Sequence, residues 1–279
     1  MPHKHFIYRF IGNRSAIMGS GILALVVIAA CSASIIFPND PLEMVTQPFL
    51  WPGSNHEFPF GTDMLGRNIG AGLFYGARIS LLIGLASTFV SIGVGLVIGV
   101  TAGYFGRTVD DVLMRITELF QTMPPFILAI VLVTILQPSI ASIIIGIGLT
   151  SWPTIARLVR AEAIRTRHAD FVQNAVLVGM SNLRIMATHV VPNALTPVIV
   201  AGSILVATSI LTEAGLSFLG LGDPNVATWG GMIGAGREVI RTAWYIAAIP
   251  GIAIVVVVLG FNLLGDGLNE LLNPRTSLL

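Results

Sequence analysis

The chain has 279 residues, of which 54% are hydrophobic and only 10% are charged. Soluble globular domains carry about 25% charged residues, so we interpret this chain as an integral membrane protein. Its net charge of +1 gives no basic field of the kind that binds nucleic acid, and no nucleic-acid partner is expected. The single cysteine, Cys31, excludes an intrachain disulfide, and the single lysine, Lys4, excludes a P-loop lysine because it lies in the N-terminal tail. If ATP drives this protein, another chain must hydrolyse it.

The first predicted span covers residues 16–37, an uncharged run that follows a short basic and aromatic N-terminus. At about 1.5 Å per residue, this run is long enough to cross about 30 Å of hydrocarbon. A cleaved signal peptide and a lipoprotein-like cleavage box ending at Cys31 are the alternatives. The apolar run is long for a signal peptide and continues past Cys31, so an intact span is expected.

A polar loop rich in proline and glycine follows at residues 38–78. Asp63 and Arg67 in this loop are candidate substrate contacts. The alternative is turn chemistry, in which Asp63 caps a turn and Arg67 and Arg78 pair locally. A single sequence does not distinguish loop residues that contact substrate from loop residues that stabilise a turn, so both interpretations stay open here.

Three further spans are predicted at residues 79–104, 112–136 and 140–158. The span at 112–136, which is the third of the chain, begins with a charged cluster in which Asp111 and Arg115 have the i,i+4 spacing of an ion pair. Pro124 and Pro125 are expected to kink it. Arginines follow the fourth span, and basic residues gather on the cytoplasmic side of membranes. These arginines either set the membrane topology and contact lipid headgroups, or they dock to the acidic surface of a partner.

An elbow at residues 169–193 separates the fourth and fifth spans and is too polar to cross a membrane. Apolar residues recur at helical spacing on both sides of Gly179, which predicts two short helices broken at the glycine. Pro192 is expected to open the next span. An amphipathic elbow on the inner face needs a surface for its apolar side, and a groove on a soluble partner is the natural candidate.

The last two spans are predicted at residues 194–211 and 245–264, and a short amphipathic helix is expected at 261–275. Glu213 follows the fifth span near the outer membrane face. Acids within a membrane are costly and usually functional. Glu213 is therefore a candidate either for capping the broken helix that follows or for contacting substrate.

The elbow resembles the cytoplasmic coupling loop of binding-protein-dependent ABC importer permeases. That family pattern is Glu-Ala-Ala, three residues, a glycine, about nine residues to a histidine, and a proline soon after. The second half of the pattern matches, whereas Gln173 and Asn174 replace the initial Glu-Ala. The residues that the resemblance implies for ATPase coupling are Phe171, Gln173, Asn174, Ala175, Gly179, Leu183, His189 and Pro192.

Three other stretches resemble the dipeptide, oligopeptide and nickel branch of these permeases. They are GTDMLGR and GARISL at 61–81, EAGLSFLGLG with WGGMI at 213–233, and FNLLGDGLNELLNPR at 261–275. Together with the elbow they occur in the family's order, and the resemblance extends from about Arg9 to Arg275.

The resemblance implies an all-α integral membrane protein with six transmembrane helices and a cytoplasmic elbow, as in ABC type I importers, forming one permease domain over residues 1–279. It also implies a non-catalytic subunit in the bacterial cytoplasmic (inner) membrane with both termini in the cytoplasm. The implied partners are a homologous permease in a heterodimer, two cytoplasmic ABC ATPase subunits that bind ATP and Mg, an extracytoplasmic solute-binding protein and membrane lipid. No cofactor or metal is expected on this chain, and the solute is a peptide, nickel chelate, opine or related molecule.

A passive channel and a membrane-embedded enzyme are the rival functions. A channel predicts polar rings along its pore, and the spans carry few polar residues. An enzyme predicts converging catalytic side chains, and neither HExxH nor GxSxG occurs in the sequence. We expect His189 to cap or anchor the elbow and His56 in the outer loop to be solvated, unless nickel is the solute.

Overall fold

The structure is a computed structural model that describes residues 10–272. Residues 1–9 of the expected basic anchor at 1–15, and the last residues of the expected tail helix, 273–275, lie outside that range. In chain order the helices are α1 Arg14–Ile36, α2 Ile69–Phe105, α3 Arg107–Gln121, α4 Pro125–Leu136, α5 Ile140–Arg167, α6 Asp170–Leu177, α7 Asn182–Phe218, α8 Trp229–Gly236 and α9 Tyr245–Leu272.

The fold is all-α and membrane-spanning, as the sequence predicts. Between residues 10 and 272, five helices are long and apolar enough to cross a membrane, namely α1, α2, α5, α7 and α9. The pair α3 and α4 supplies a sixth span if the two are counted together.

The third predicted span is broken rather than kinked. Helices α3 and α4 have 15 and 12 residues and meet at an angle of 82°. Pro124 has an extended backbone with ψ 129°, because the ring of Pro125 disfavours helical geometry at the residue before it. The double proline therefore ends one helix and starts another.

Four helices, α2, α5, α7 and α9, extend well beyond their predicted limits, α5 as far as Arg167 and α7 as far as Phe218. Helix α2 begins at Ile69, ten residues before the predicted span, and the side chain of Asn68 caps it by accepting from the N–H groups of Gly70 and Ala71 at 2.8 and 3.3 Å. Helix α9 continues to Leu272, so the expected separate helix at 261–275 is instead the end of α9.

Helix α2 lies at the centre of the bundle and packs on α1, α5 and α7. Its contact with α5 is made by Gly95, Gly99 and Gly103, which recur every four residues on one face. A Cβ atom added to Gly99 would lie 2.5 Å from the carbonyl oxygen of Ala156. Only glycine permits this separation of the two backbones.

The polar pairs at the helix ends differ from those expected. Arg78 does not pair within the loop but donates to α1, to the carbonyls of Ala30 and Cys31 and to the hydroxyl of Ser34. The predicted pair of Asp111 and Arg115 is absent from the ion pairs within residues 10–272. Asp110 instead accepts two hydrogen bonds from Arg160 of α5, at 2.5 and 2.6 Å. Such bidentate pairs are stronger than pairs along an exposed helix face.

Candidate functional site

The elbow consists of α6, a turn at residues 178–181 and the first turns of α7. One of its faces is buried against the rest of the chain. Val172 and Ala175 of α6 and Ile185, Met186 and Val190 of α7 are buried in one cluster with residues of α2 and α5. The elbow is therefore fixed to the ends of two spanning helices, so that a force applied to it reaches the bundle.

Gly179 makes the turn between α6 and α7, as the sequence predicts. Its φ of +81° lies in the left-handed region. The N–H of Gly179 bonds to the carbonyl of Val176 at 2.9 Å, and the N–H of Met180 bonds to that of Ala175 at 3.0 Å. This is the usual glycine-dependent helix ending. A Cβ on Gly179 would meet no atom within 4 Å, so the requirement is conformational and not steric.

Replacing Gly179 by alanine is expected to loosen this turn locally. A non-glycine residue in the left-handed region costs about 1–2 kcal/mol, which corresponds to a loss of hydrogen-exchange protection of roughly 5- to 30-fold at the turn amides. Gly179→Asn is the matched control, because asparagine tolerates this region better. Equal protection in the wild type and both variants would contradict the assignment.

Side chains tie the elbow to the helix ends. The Gln173 amide donates to the carbonyl of Arg167 at the end of α5, at 2.8 Å. The Tyr104 hydroxyl, near the end of α2, donates to the Asn182 side chain at 2.9 Å. The rings of Phe171 and His189 meet edge to face, with centroids 5.7 Å apart. The structure thus places His189 against α6.

Pro192 lies in the first turn of the α-helical segment Val191–Phe218, as the sequence predicts, but this segment continues without a break from the turns that precede it. Helix α7 runs from Asn182 to Phe218, with a wider π-helical turn at Met186–Val190 immediately before the proline. That turn shifts the hydrogen-bond register just where the proline ring lacks an N–H, which lets the helix continue. Asn193 adds a bond from its side chain to the carbonyl of His189, at 2.7 Å.

The opposite face of the elbow is apolar and exposed. Leu177, Val178 and Leu183 are 83, 86 and 76% exposed, and Phe171 is 48% exposed. Polar residues on the same segment, such as the exposed Asn174, surround them. An apolar patch with a polar rim is typical of a protein-binding surface. We call these four apolar residues the elbow surface.

The sequence pattern missed half of this surface. Leu177 is the last residue of α6 and Val178 the first of the turn, and both lie outside the helical stripe that predicts the apolar face. Their exposure depends on where the helix stops, which Gly179 decides. Ala175, one of the predicted coupling residues, is buried and supports the elbow from inside.

The loop candidates Asp63 and Arg67 lie together but have different roles. Asp63 accepts from the N–H groups of Leu65 and Arg67 at 2.8 and 2.9 Å, so it holds a turn. Arg67 lines a cavity of about 210 Å³, together with Asp63 and Asp223. No hydrogen-bond partner within residues 10–272 reaches its Nε atom.

Glu213 is not among the residues that line this cavity and is fully buried, with 0% exposure. It accepts from the Ser217 hydroxyl at 2.7 Å and contacts the Ser80 hydroxyl of α2 at 3.5 Å. Ser80 in turn accepts from the N–H of Trp229, the first residue of α8, at 3.4 Å. The carboxyl group therefore joins α7, α2 and the start of α8, and this geometry favours the structural interpretation of Glu213.

Glu213→Ala is expected to destabilise the protein by about 1–3 kcal/mol, because it leaves buried hydroxyls without their acceptor. Glu213→Gln, which keeps an oxygen acceptor and the side-chain shape, is expected to cost less. Thermal unfolding of the detergent-purified protein measures both. Wild-type stability in Glu213→Ala, combined with a change in solute uptake, would instead support substrate contact.

Comparison with known proteins identifies relatives over the whole chain. Residues 95–278 match the family described as binding-protein-dependent transport system inner membrane component. The di/tripeptide transport system permease protein DppC of Pseudomonas aeruginosa is 36% identical over 280 residues, which covers 98% of this chain and 92% of that protein. A putative peptide transport system permease protein of Brucella abortus is 40% identical, over 96% of this chain and 90% of that protein.

Two further matches widen the comparison. The glutathione transport system permease protein GsiD of Pectobacterium atrosepticum is 32% identical, over 98% of this chain and 91% of that protein. A crystal structure of an amino acid ABC transporter with histidines is similar in fold, with a TM-score of 0.53 and 16% identity, over 75% of this chain and 94% of that chain.

Proposed function

Since the chain belongs to the family of binding-protein-dependent transport system inner membrane components, we propose that it forms, with a homologous permease, the membrane pathway for peptides or a related small solute. It is a permease subunit of an ABC importer and a multi-pass protein of the inner membrane. In this role the chain holds no catalytic residue, and its partners hydrolyse ATP.

The elbow surface is the observation that carries this proposal. Five large apolar side chains, the four of the elbow surface and Val176, are exposed on a segment whose other face is buried against α2 and α5. A groove on each ATPase subunit is the proposed receptor, in the manner of an amphipathic helix held in an apolar groove. When ATP closes the ATPase pair, the motion of the grooves turns the elbows and switches the bundle between outward and inward access.

The same proposal assigns the remaining partners and the orientation. Two cytoplasmic ATPase subunits bind ATP and Mg, and an extracytoplasmic binding protein delivers the solute. The elbow and both termini lie in the cytoplasm, which agrees with the arginines that precede the elbow on α5, such as Arg157, Arg160 and Arg165.

Peptides are the proposed solute class because relatives at 32–40% identity are named for peptide, di/tripeptide and glutathione transport. Glutathione is itself a tripeptide. Nickel chelates and opines remain within the same proposal as related small solutes. The few polar residues in the spans support selection of the solute chiefly by the binding protein.

Reconstitution of the complete complex in proteoliposomes tests the function. ATP-dependent uptake of a labelled dipeptide, requiring the binding protein outside and ATP inside, is the expected result. Uptake down a gradient without ATP would instead favour a passive channel, and chemical conversion of the peptide within the membrane would favour an enzyme.

A further inference from the structure

Helix α3 is amphipathic, and its apolar face points away from the rest of the chain. Val112, Ile116 and Leu119 on that face are exposed. On the other face Asp110 is bound by Arg160 of α5, and Thr117 is buried. Helix α3 therefore turns a polar face toward α5, and Asp111, Arg115 and Glu118 on that face are exposed to solvent.

The space between the polar faces of α3 and α5 is a cavity of about 660 Å³. Its lining residues are Asp110, Asp111, Met114, Arg115, Thr117, Glu118, Arg157 and Arg160. Binding sites for small molecules typically have about 300–1,000 Å³, so the cavity has the size for a small solute. It lies toward the elbow end of the bundle, where Arg167 of α5 donates to the carbonyl of Phe105, the last residue of α2.

Six of the lining side chains are charged, three of each sign, and only two of these six form an ion pair with each other. Asp110 and Arg160 satisfy one another. The other four belong to no ion pair among residues 10–272, and they are two acids, Asp111 and Glu118, and two bases, Arg115 and Arg157.

Residues Asp111, Arg115 and Glu118 follow one another at spacings of four and three along α3, which places them on one helix face. Two turns of helix, about 10 Å, separate the two acids. Arg157 faces the cavity from α5, one turn from Arg160. The wall of the cavity therefore offers negative and positive groups together, with no excess of either sign.

We propose that this cavity binds a zwitterionic solute. Its ammonium group lies against the carboxylate of Glu118 on α3, and its carboxylate lies against the guanidinium group of Arg157 on α5. Charge-assisted hydrogen bonds of this kind fix orientation as well as affinity. A purely anionic or purely cationic solute would leave one of these two charges unmatched. The inference rests on the proposed function, because it places the transported solute at a stage of passage near the elbow.

The proposal is tested by equilibrium binding of a dipeptide to the detergent-purified complex of the two permeases and two ATPase subunits, without the binding protein. The probe is radiolabelled alanyl-alanine, with its N-acetyl and C-amide derivatives as competitors. We expect each blocked derivative to bind at least tenfold more weakly than the free dipeptide, since each loses one charged contact.

Charge-neutral variants assign the two ends of the solute. Arg157→Gln is expected to weaken alanyl-alanine binding at least tenfold and to abolish the preference over the C-amide, while the preference over the N-acetyl derivative remains. Glu118→Gln is expected to do the reverse. Arg165→Gln is the matched control, because Arg165 lies on the same helix, is 78% exposed and does not line the cavity.

Three results would overturn the proposal. They are equal binding of the free and blocked dipeptides, absence of dipeptide binding, and quantitative cross-linking of the Glu118→Cys variant to the partner permease, which would show that a partner side chain fills the cavity. Subunit co-purification and ATP-dependent uptake by the wild-type complex test the proposed function separately. Retention of both, with any of these three results, would refute the cavity assignment alone.

Discussion

Leu183→Asp is expected to separate this chain from its ATPase partners while leaving the chain folded. Leu183 is 76% exposed and contributes little to the interior, so the free energy of unfolding should change by no more than about 0.5 kcal/mol. A carboxylate in an apolar groove has no partner there, and central apolar anchors of interfaces cost at least about 2 kcal/mol when lost. We therefore expect ATPase affinity to fall roughly 30-fold or more, measured by co-purification through a tag on this chain.

Leu65→Asp is the control for that substitution. Leu65 is also an exposed leucine, but it lies in the outer loop and outside the elbow surface. It should leave ATPase co-purification unchanged. Loss of the ATPase in both variants would indicate a general loss of membrane insertion or stability, and retention in both would remove the elbow surface from the docking site.

Gly99→Val is expected to have the largest effect on stability of any substitution considered. Its Cβ would lie 2.5 Å from the carbonyl oxygen of Ala156 and 2.7 Å from the Cβ of Val159, both on the facing helix. Neither atom is the end of a flexible side chain, so α2 and α5 must move apart. Overpacking of this kind costs about 1–3 kcal/mol or more, and loss of the helix contact adds to it. Thermal unfolding of the purified protein measures the change.

The same helix provides a matched control at Gly93. A Cβ there would meet no atom within 4 Å, so Gly93→Val adds the same side chain to α2 without a clash. We expect Gly93→Val to unfold near the wild-type temperature and Gly99→Val well below it. Equal transitions would show that α2 and α5 are less closely packed than the structure describes.

The spans could be read from the sequence because apolar length is a property of each segment alone. The turn at Gly179 could be read for the same reason. The size of the bend before Pro125 could not be predicted from the sequence. Two prolines predict that the helix is interrupted, but the angle between α3 and α4 depends on the neighbouring helices. The start of α2 at Ile69 was missed because a glycine-rich segment has weak helix propensity and depends on tertiary packing.

Charge pairing and burial were the least predictable parts of the candidate site. The i,i+4 spacing favoured Asp111 with Arg115, whereas the structure pairs Asp110 with Arg160, 50 residues further along the chain. Glu213 was recognised as unusual, but its hydroxyl partners on α2 and α7 follow from packing. The polar cavity beside α3 had one sequence signal, the recurrence of charged residues at helical spacing over Arg107–Gln121.

Site-specific cross-linking from the elbow tests the central claim most directly. Cys31 is the chain's single cysteine, so a Cys31→Ser background allows one new cysteine at Leu177, which is 83% exposed. With a short bifunctional reagent in the assembled complex, we predict a cross-link from position 177 to an ATPase subunit, and none from a cysteine placed at Glu57 in the outer loop. An unreactive elbow in a complex that still couples ATP hydrolysis to uptake would contradict the account, because the ATPases would then act on the bundle elsewhere.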